Sequence, residues 1–136
     1  MDGITLLPTV DDLQPADLEP FFVGWPMPPS PAERLEILRA ADEVVVARAG
    51  DEVVGFATAL TDGRFAAYLP LVEVVPDRQG EGIGSVMVHH LLDRLDRCYM
   101  VDLACDDDVV PFYERLGGTR LAGVGWRRPE RLTDGA

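Results

Sequence analysis

The stretch Val74-Val75-Pro76-Asp77-Arg78-Gln79-Gly80-Glu81-Gly82-Ile83-Gly84-Ser85 decides the fold. An apolar strand runs into a glycine-rich turn, and the turn opens into a helix. On that helix Ile83, Met87, Leu91 and Leu95 recur every four residues, with Val88 and Leu92 beside them. Glycine lets the backbone take positive φ and approach a ligand closely. The first amides of a helix have no internal partners and carry the positive end of its dipole. No acceptor side chain stands at the cap positions here, so those amides are open to a phosphate group. A plain strand-to-helix turn would also use glycine, but three at alternate positions exceed what it needs.

Downstream, Tyr99 to Cys105 reads as a central strand buried on both faces. Pro111 to Leu116 reads as a short helix stopped by Gly117-Gly118, with Asp108 as its cap. Thr119 to Arg128 reads as a last strand. Upstream, Ala66 to Val75 is a strand interrupted at Pro70, where a bulge is expected. Glu43 to Ala49 and Glu52 to Leu60 form a hairpin about Gly50-Asp51. Ser30-Pro31-Ala32-Glu33 starts a helix to about Ala41, Ser30 being the N-cap and Glu33 closing a capping box. Leu13 to Phe22 reads as a short helix and Ile4 to Leu7 as a strand. The order β-α-α-β-β-β-α-β-α-β predicts one domain over residues 1–136. Its fold class is mixed α/β: a mostly antiparallel sheet, helices on both faces, and one parallel β-α-β crossover.

Composition narrows the function. With 47% hydrophobic residues, the 136-residue chain can bury a core. The net charge of -12 argues against nucleic acid as a partner. All 12 basic residues are arginines. Without lysine there is no Walker-type phosphate loop, Schiff base or pyridoxal-phosphate linkage. Met1-Asp2-Gly3-Ile4 resembles no targeting signal, and no apolar run is long enough to span a bilayer. A cytoplasmic location and no membrane partner are expected. Cys98 and Cys105 lie at opposite ends of a strand, roughly 23 Å apart at ~3.3 Å per residue, and are expected as buried thiols. His89-His90 points to two helix faces and makes a poor chelate, so no metal site is expected.

The glycine spacing departs from the G-x-G-x-x-G of dinucleotide folds. Gln79-Gly80-Glu81-Gly82-Ile83-Gly84 instead resembles the (Gln/Arg)-x-x-Gly-x-(Gly/Ala) motif of the GNAT acetyltransferases. Val74-x-Pro76, the hairpin with Val54-Gly55-Phe56, and Val110-Pro111-Phe112-Tyr113-Glu114-Arg115-Leu116-Gly117 extend the resemblance from about Glu43 to Arg128. It implies the GNAT fold, with its parallel crossover at the coenzyme A site. It also implies acetyl-CoA as cosubstrate and direct transfer of the acetyl group to an amine in a ternary complex. The pyrophosphate would sit on Gln79, Gly80, Gly82, Ile83, Gly84 and Ser85. The pantetheine arm would lie along Val74 and Val75, with the Val74 N–H facing the thioester carbonyl. Where many relatives carry Asn seven residues before the signature tyrosine, this chain has Asp106, so that contact is lost or bridged by water.

An alkyl amine, with a pKa of ~10.4, must lose a proton before it attacks. Glu73, within an apolar strand, is a candidate base; it is equally readable as the partner of Arg48 or Arg64. Tyr113 matches the family position of the acid that protonates the leaving thiolate. Trp25, Met27, Phe65 and Tyr68 are candidates for an acceptor pocket, and equally for core. The acidity favours a cationic acceptor, either a small molecule or a peptide amine. A homodimer with Trp126 at its interface is a further expectation. The alternative function is a non-catalytic acyl-CoA sensor, for which Asp106 speaks and against which Tyr113 speaks.

Overall fold

A computed structural model describes residues 3–132. Strand β1 is Ile4–Leu7, followed by a 3-10 turn at Pro15–Leu18 and helix α1 at Pro31–Ala40. The strands β2 (Glu43–Ala49), β3 (Glu52–Thr61), β4 (Ala66–Tyr68) and β5 (Val72–Val74) come next. Helix α2 is Ile83–Arg94, β6 is Met100–Asp102 and α3 is Val110–Arg115. The sheet order is β1-β2-β3-β4-β6, with β5 paired to β3. Every pairing is antiparallel except β4 with β6, the two ends of the crossover that contains α2.

Side-chain alternation along β3 sends Gly55 toward α2 and Phe56 toward the other layer. A Cβ on Gly55 would stand 3.0 Å from Met87 Cε, so this glycine lets α2 lie close against the sheet. Phe56 is fully buried and packs 4.8 Å from Phe21. Burying such a ring contributes roughly 1.5–3 kcal/mol. The helical face read from the four-residue recurrence is the one buried: Ile83, Met87, Leu91 and Leu95 all enter the core.

Several expectations are corrected. Leu13 to Phe22 yields only the 3-10 turn at Pro15–Leu18; Glu19 still has helical geometry, but Pro20 has no N–H with which to continue the hydrogen-bond ladder. Leu13, Leu18 and Phe21 are nonetheless buried. Ser30 Oγ accepts from Glu33 N at 3.2 Å, the N-cap half of the expected capping box. Val109, not Asp108, is the cap of α3, and no side chain bonds there. Strand β6 is three residues long and lies at the sheet edge, with Tyr99 82% exposed; it is neither central nor buried on both faces. Thr119 to Arg128 forms no strand, because a strand needs a neighbour and none reaches it among the described residues. Cys105 is exposed and Cys98 half-buried.

Candidate active site

The sheet opens beside Pro70. Register between β3 and its neighbours slips by one residue between the pairs Leu60–Tyr68 and Ala57–Val72. Leu69 to Leu71 therefore forms a bulge, where proline has no N–H to lose from a ladder. The bond from Leu69 N to Asp102 O, at 3.0 Å, is the last between the two strand runs. Beyond it β5 stays paired with β3 and makes no pair with β6, which leaves an unpaired wedge in the sheet between them.

The ladder settles which atoms face that wedge. Thr58 N donates to Leu71 O at 3.0 Å, and Val75 N donates to Val54 O at 2.9 Å. Antiparallel alternation then turns the main-chain groups of Val72 and Val74 away from β3. Of the expected pair Val74 and Val75, only Val74 presents its main chain to the wedge. Gln79 Nε2 donates to Val74 O at 3.0 Å and ties the glycine loop back to the strand.

The glycines have separate reasons. Gly80 and Gly82 sit at φ of 84° and 90°, the left-handed region, and Gly82 is the N-cap of α2. No side chain caps this helix and no acid lies in its first turn, so the amides of Ile83, Gly84 and Ser85 keep their positive character. Gly84 serves packing: a Cβ there would lie 3.3 Å from Phe112 and 3.8 Å from Val74. The two motifs, far apart in sequence, thus meet at one spot. Arg78, which sequence reasoning passed over, is the cation of the loop; its Nε is 3.7 Å from Glu81. Its signal was an arginine directly before the glycine motif.

Tyr113 follows Phe112 on α3, the rings meeting edge to face at 4.9 Å. It lines a cavity of 870 Å³ with Tyr68, Leu103, Cys105 and Leu121. Burial, and secondarily the charge of Cys105, push the Tyr113 hydroxyl above the usual phenol range. It therefore stays protonated, a donor, at neutral pH.

Glu73 shares the Phe56 face of the sheet. Its Oε1 accepts from Phe22 N at 2.9 Å, and its Oε2 is buried with no hydrogen-bond partner among the described residues. Burial raises its pKa; the Phe22 N–H and the charge of Arg34 pull the other way and do not offset it. The cation acting on Glu73 is thus Arg34, not Arg48 or Arg64. Of the proposed acceptor aromatics, Trp25 stacks edge-on to Phe22 and Tyr68 lines the cavity, whereas Phe65 stacks on Tyr99 at the exposed rim. Among the described residues no cluster of His, Cys, Asp and Glu could hold a metal ion. No described helix is long and apolar enough to cross a membrane.

The sequence pattern of the Acetyltransferase (GNAT) family matches residues 10–118. The chain belongs to the GNAT acetyltransferase family. Its GNAT relatives include an uncharacterised N-acetyltransferase, ycf52, of Pyropia yezoensis, 32% identical over 102 residues. That match covers 70% of this chain and 58% of the relative, so the chain spans little more than half the length of this curated relative. A proposed acetyltransferase of Deinococcus radiodurans R1 is 45% identical, with a TM-score of 0.93 over 96% of this chain and 92% of that one. Glucosamine-6-phosphate N-acetyltransferase of Arabidopsis thaliana, at 18% identity and a TM-score of 0.67 over 92% of this chain and 97% of that one, shares the GNAT fold.

Proposed function

We propose that this chain is an N-acetyltransferase that uses acetyl-CoA as donor and a cationic amine as acceptor. The observation that carries the reading is the wedge between β5 and β6: the Val74 N–H faces it, unclaimed by the sheet, with the uncapped first turn of α2 alongside. The fit is chemical. Amides from Gly80 to Ser85 suit a pyrophosphate, and an extended arm can pair with the outward-facing main chain of Val72 and with the Val74 N–H, the Val74 carbonyl being held by Gln79. In this reading acetyl-CoA supplies the activated acyl group. Val74 N–H donates to the oxygen on which negative charge grows. Glu73 takes the proton of the incoming ammonium, Tyr113 donates its hydroxyl proton to the departing sulfur, and the second proton that the nitrogen sheds as the amide forms restores the Tyr113 hydroxyl. The net charge of -12 raises the local concentration of cationic acceptors.

Calorimetric titration with acetyl-CoA tests this, with NAD and ATP as controls. Selective micromolar binding, ~8 kcal/mol, is expected. Equal binding of NAD would sink the reading. The sensor alternative rests on Asp106; tight binding without turnover of any amine would favour it.

A second copy of the chain is the proposed protein partner. β6 has an open outer edge, and the 870 Å³ cavity separates its Val101 to Cys105 run from Leu121 to Gly125. Leu121, Val124 and Trp126 are exposed on the unpaired segment. Arg127 and Arg128 give that segment positive charge, while Arg120 already pairs with Asp107 at 3.2 Å and Asp102, Asp106 and Asp108 edge the β6 side. Each copy could offer its segment to the other's β6, burying apolar surface that a lone chain leaves wet. Light scattering at micromolar concentration is expected to give twice the 14.9 kDa chain mass. A monomeric mass would remove the proposal.

A further inference from the structure

Arg34 stands on α1 with 7% of its surface exposed, a position where arginine is rare. Its Nε donates to Pro29 O at 2.8 Å, and its Nη1 donates to Leu18 O at 2.8 Å and Glu19 O at 3.0 Å. One guanidinium thus ties both ends of the 19–29 loop to the helix. The same group lies 5.2 Å from the centre of the Phe22 ring, close enough for cation–π attraction. Phe22 is the one non-glycine residue in the left-handed region among the described residues, at φ 62°. An L-residue holds that conformation only where its surroundings enforce it. Here the left-handed Phe22 donates its N–H to Glu73 Oε1.

We infer that Arg34 is a positioning residue: by clasping the 19–29 loop it makes Phe22 N–H hold one oxygen of Glu73 and leaves the other, the buried Oε2, which has no hydrogen-bond partner among the described residues, as the oxygen with its lone pairs available for a proton. The inference rests on the acetyltransferase reading for its kinetic arm alone. The residues packed about Glu73 from β3 and the loop, Phe56 and Phe22, carry no charge, so Arg34 on α1 is the charged group that acts on the carboxylate. Arginine is required over lysine because three carbonyls in different directions need a fork, not a point charge.

The test compares wild type, Arg34→Met and Arg34→Lys. The Glu73 carboxyl is followed by carbon NMR, assigned with Glu73→Gln, and acetyl-CoA affinity by calorimetry. Arg34→Met is expected to raise the Glu73 titration midpoint, because a cation and a fixed donor are lost. It should lower kcat/KM for the amine by roughly ten- to a hundredfold while acetyl-CoA affinity holds within about twofold. Arg34→Lys, the variant to read if Arg34→Met does not fold, keeps the charge and holds the midpoint closer to wild type, yet still loses kcat/KM. A folded Arg34→Met whose Glu73 midpoint and amine kcat/KM match wild type would overturn the inference. So would full kinetic rescue by Arg34→Lys, since that would mean charge alone suffices. If wild type turns over no amine, the acetyltransferase reading fails, while the NMR midpoint still decides the clasp.

Discussion

Tyr113→Phe is expected to lower kcat by roughly 10²–10⁴ and leave acetyl-CoA affinity within about twofold. The ring and its edge-to-face contact with Phe112 survive the change, so packing is preserved and only the hydroxyl is removed. The coenzyme A sulfur leaves more readily when it is protonated or hydrogen-bonded as the bond breaks. Burial keeps the Tyr113 proton in place beyond the ordinary phenol value of ~10, so the wild-type rate should persist to unusually high pH and then fall. That alkaline limb should vanish in the variant. Steady-state rates over pH, read beside calorimetric affinity, check both points. An unchanged kcat would mean that another group, or water, supplies the proton.

Glu73→Gln is expected to lower kcat/KM for the amine by roughly 10²–10⁴ at neutral pH. Gln keeps an oxygen able to accept from Phe22 N–H, so the loop should hold its place while the basic site is lost. The sign of the pH dependence follows from the raised pKa. Ionised Glu73 is the active form, so wild-type kcat/KM is full above the folded-state pKa. It falls as pH drops through a midpoint above the ordinary glutamate value of ~4.3. The variant should show a flat acid limb. A variant that keeps both rate and acid limb would leave Glu73 with only its structural bond to Phe22.

Local rules made much of this site legible. The glycine loop, the amphipathic face of α2, the Gly50-Asp51 hairpin and the Gly117-Gly118 stop of α3 each depend on residues within a few positions of one another. At the stop, Gly117 is left-handed at φ 99° and Gly118 N donates to Tyr113 O at 3.0 Å. The bend at Pro70 was legible too, because proline cannot continue a ladder. By contrast, Thr119 to Arg128 has strand-like composition, yet whether it pairs depends on what lies beside it. The Tyr99 to Cys105 run misled for the same reason: apolar density signals burial on both faces only if both faces are covered.

The sequence alone sets the fold class and the phosphate-ready turn, because periodicity, capping and φ preference act over short separations. It also brought the family motif at Tyr113 within reach of recognition. The tertiary structure was needed to show that Val74, not Val75, turns its main chain to the wedge, since that follows from which residues of β3 claim the ladder. It alone joined Arg34, Phe22 and Glu73, residues up to 51 positions apart on three separate elements. An arginine in a helix advertises a solvated face; its burial here becomes intelligible only when the backbone carbonyls of Leu18, Glu19 and Pro29, at the two ends of the 19–29 loop, converge on its guanidinium.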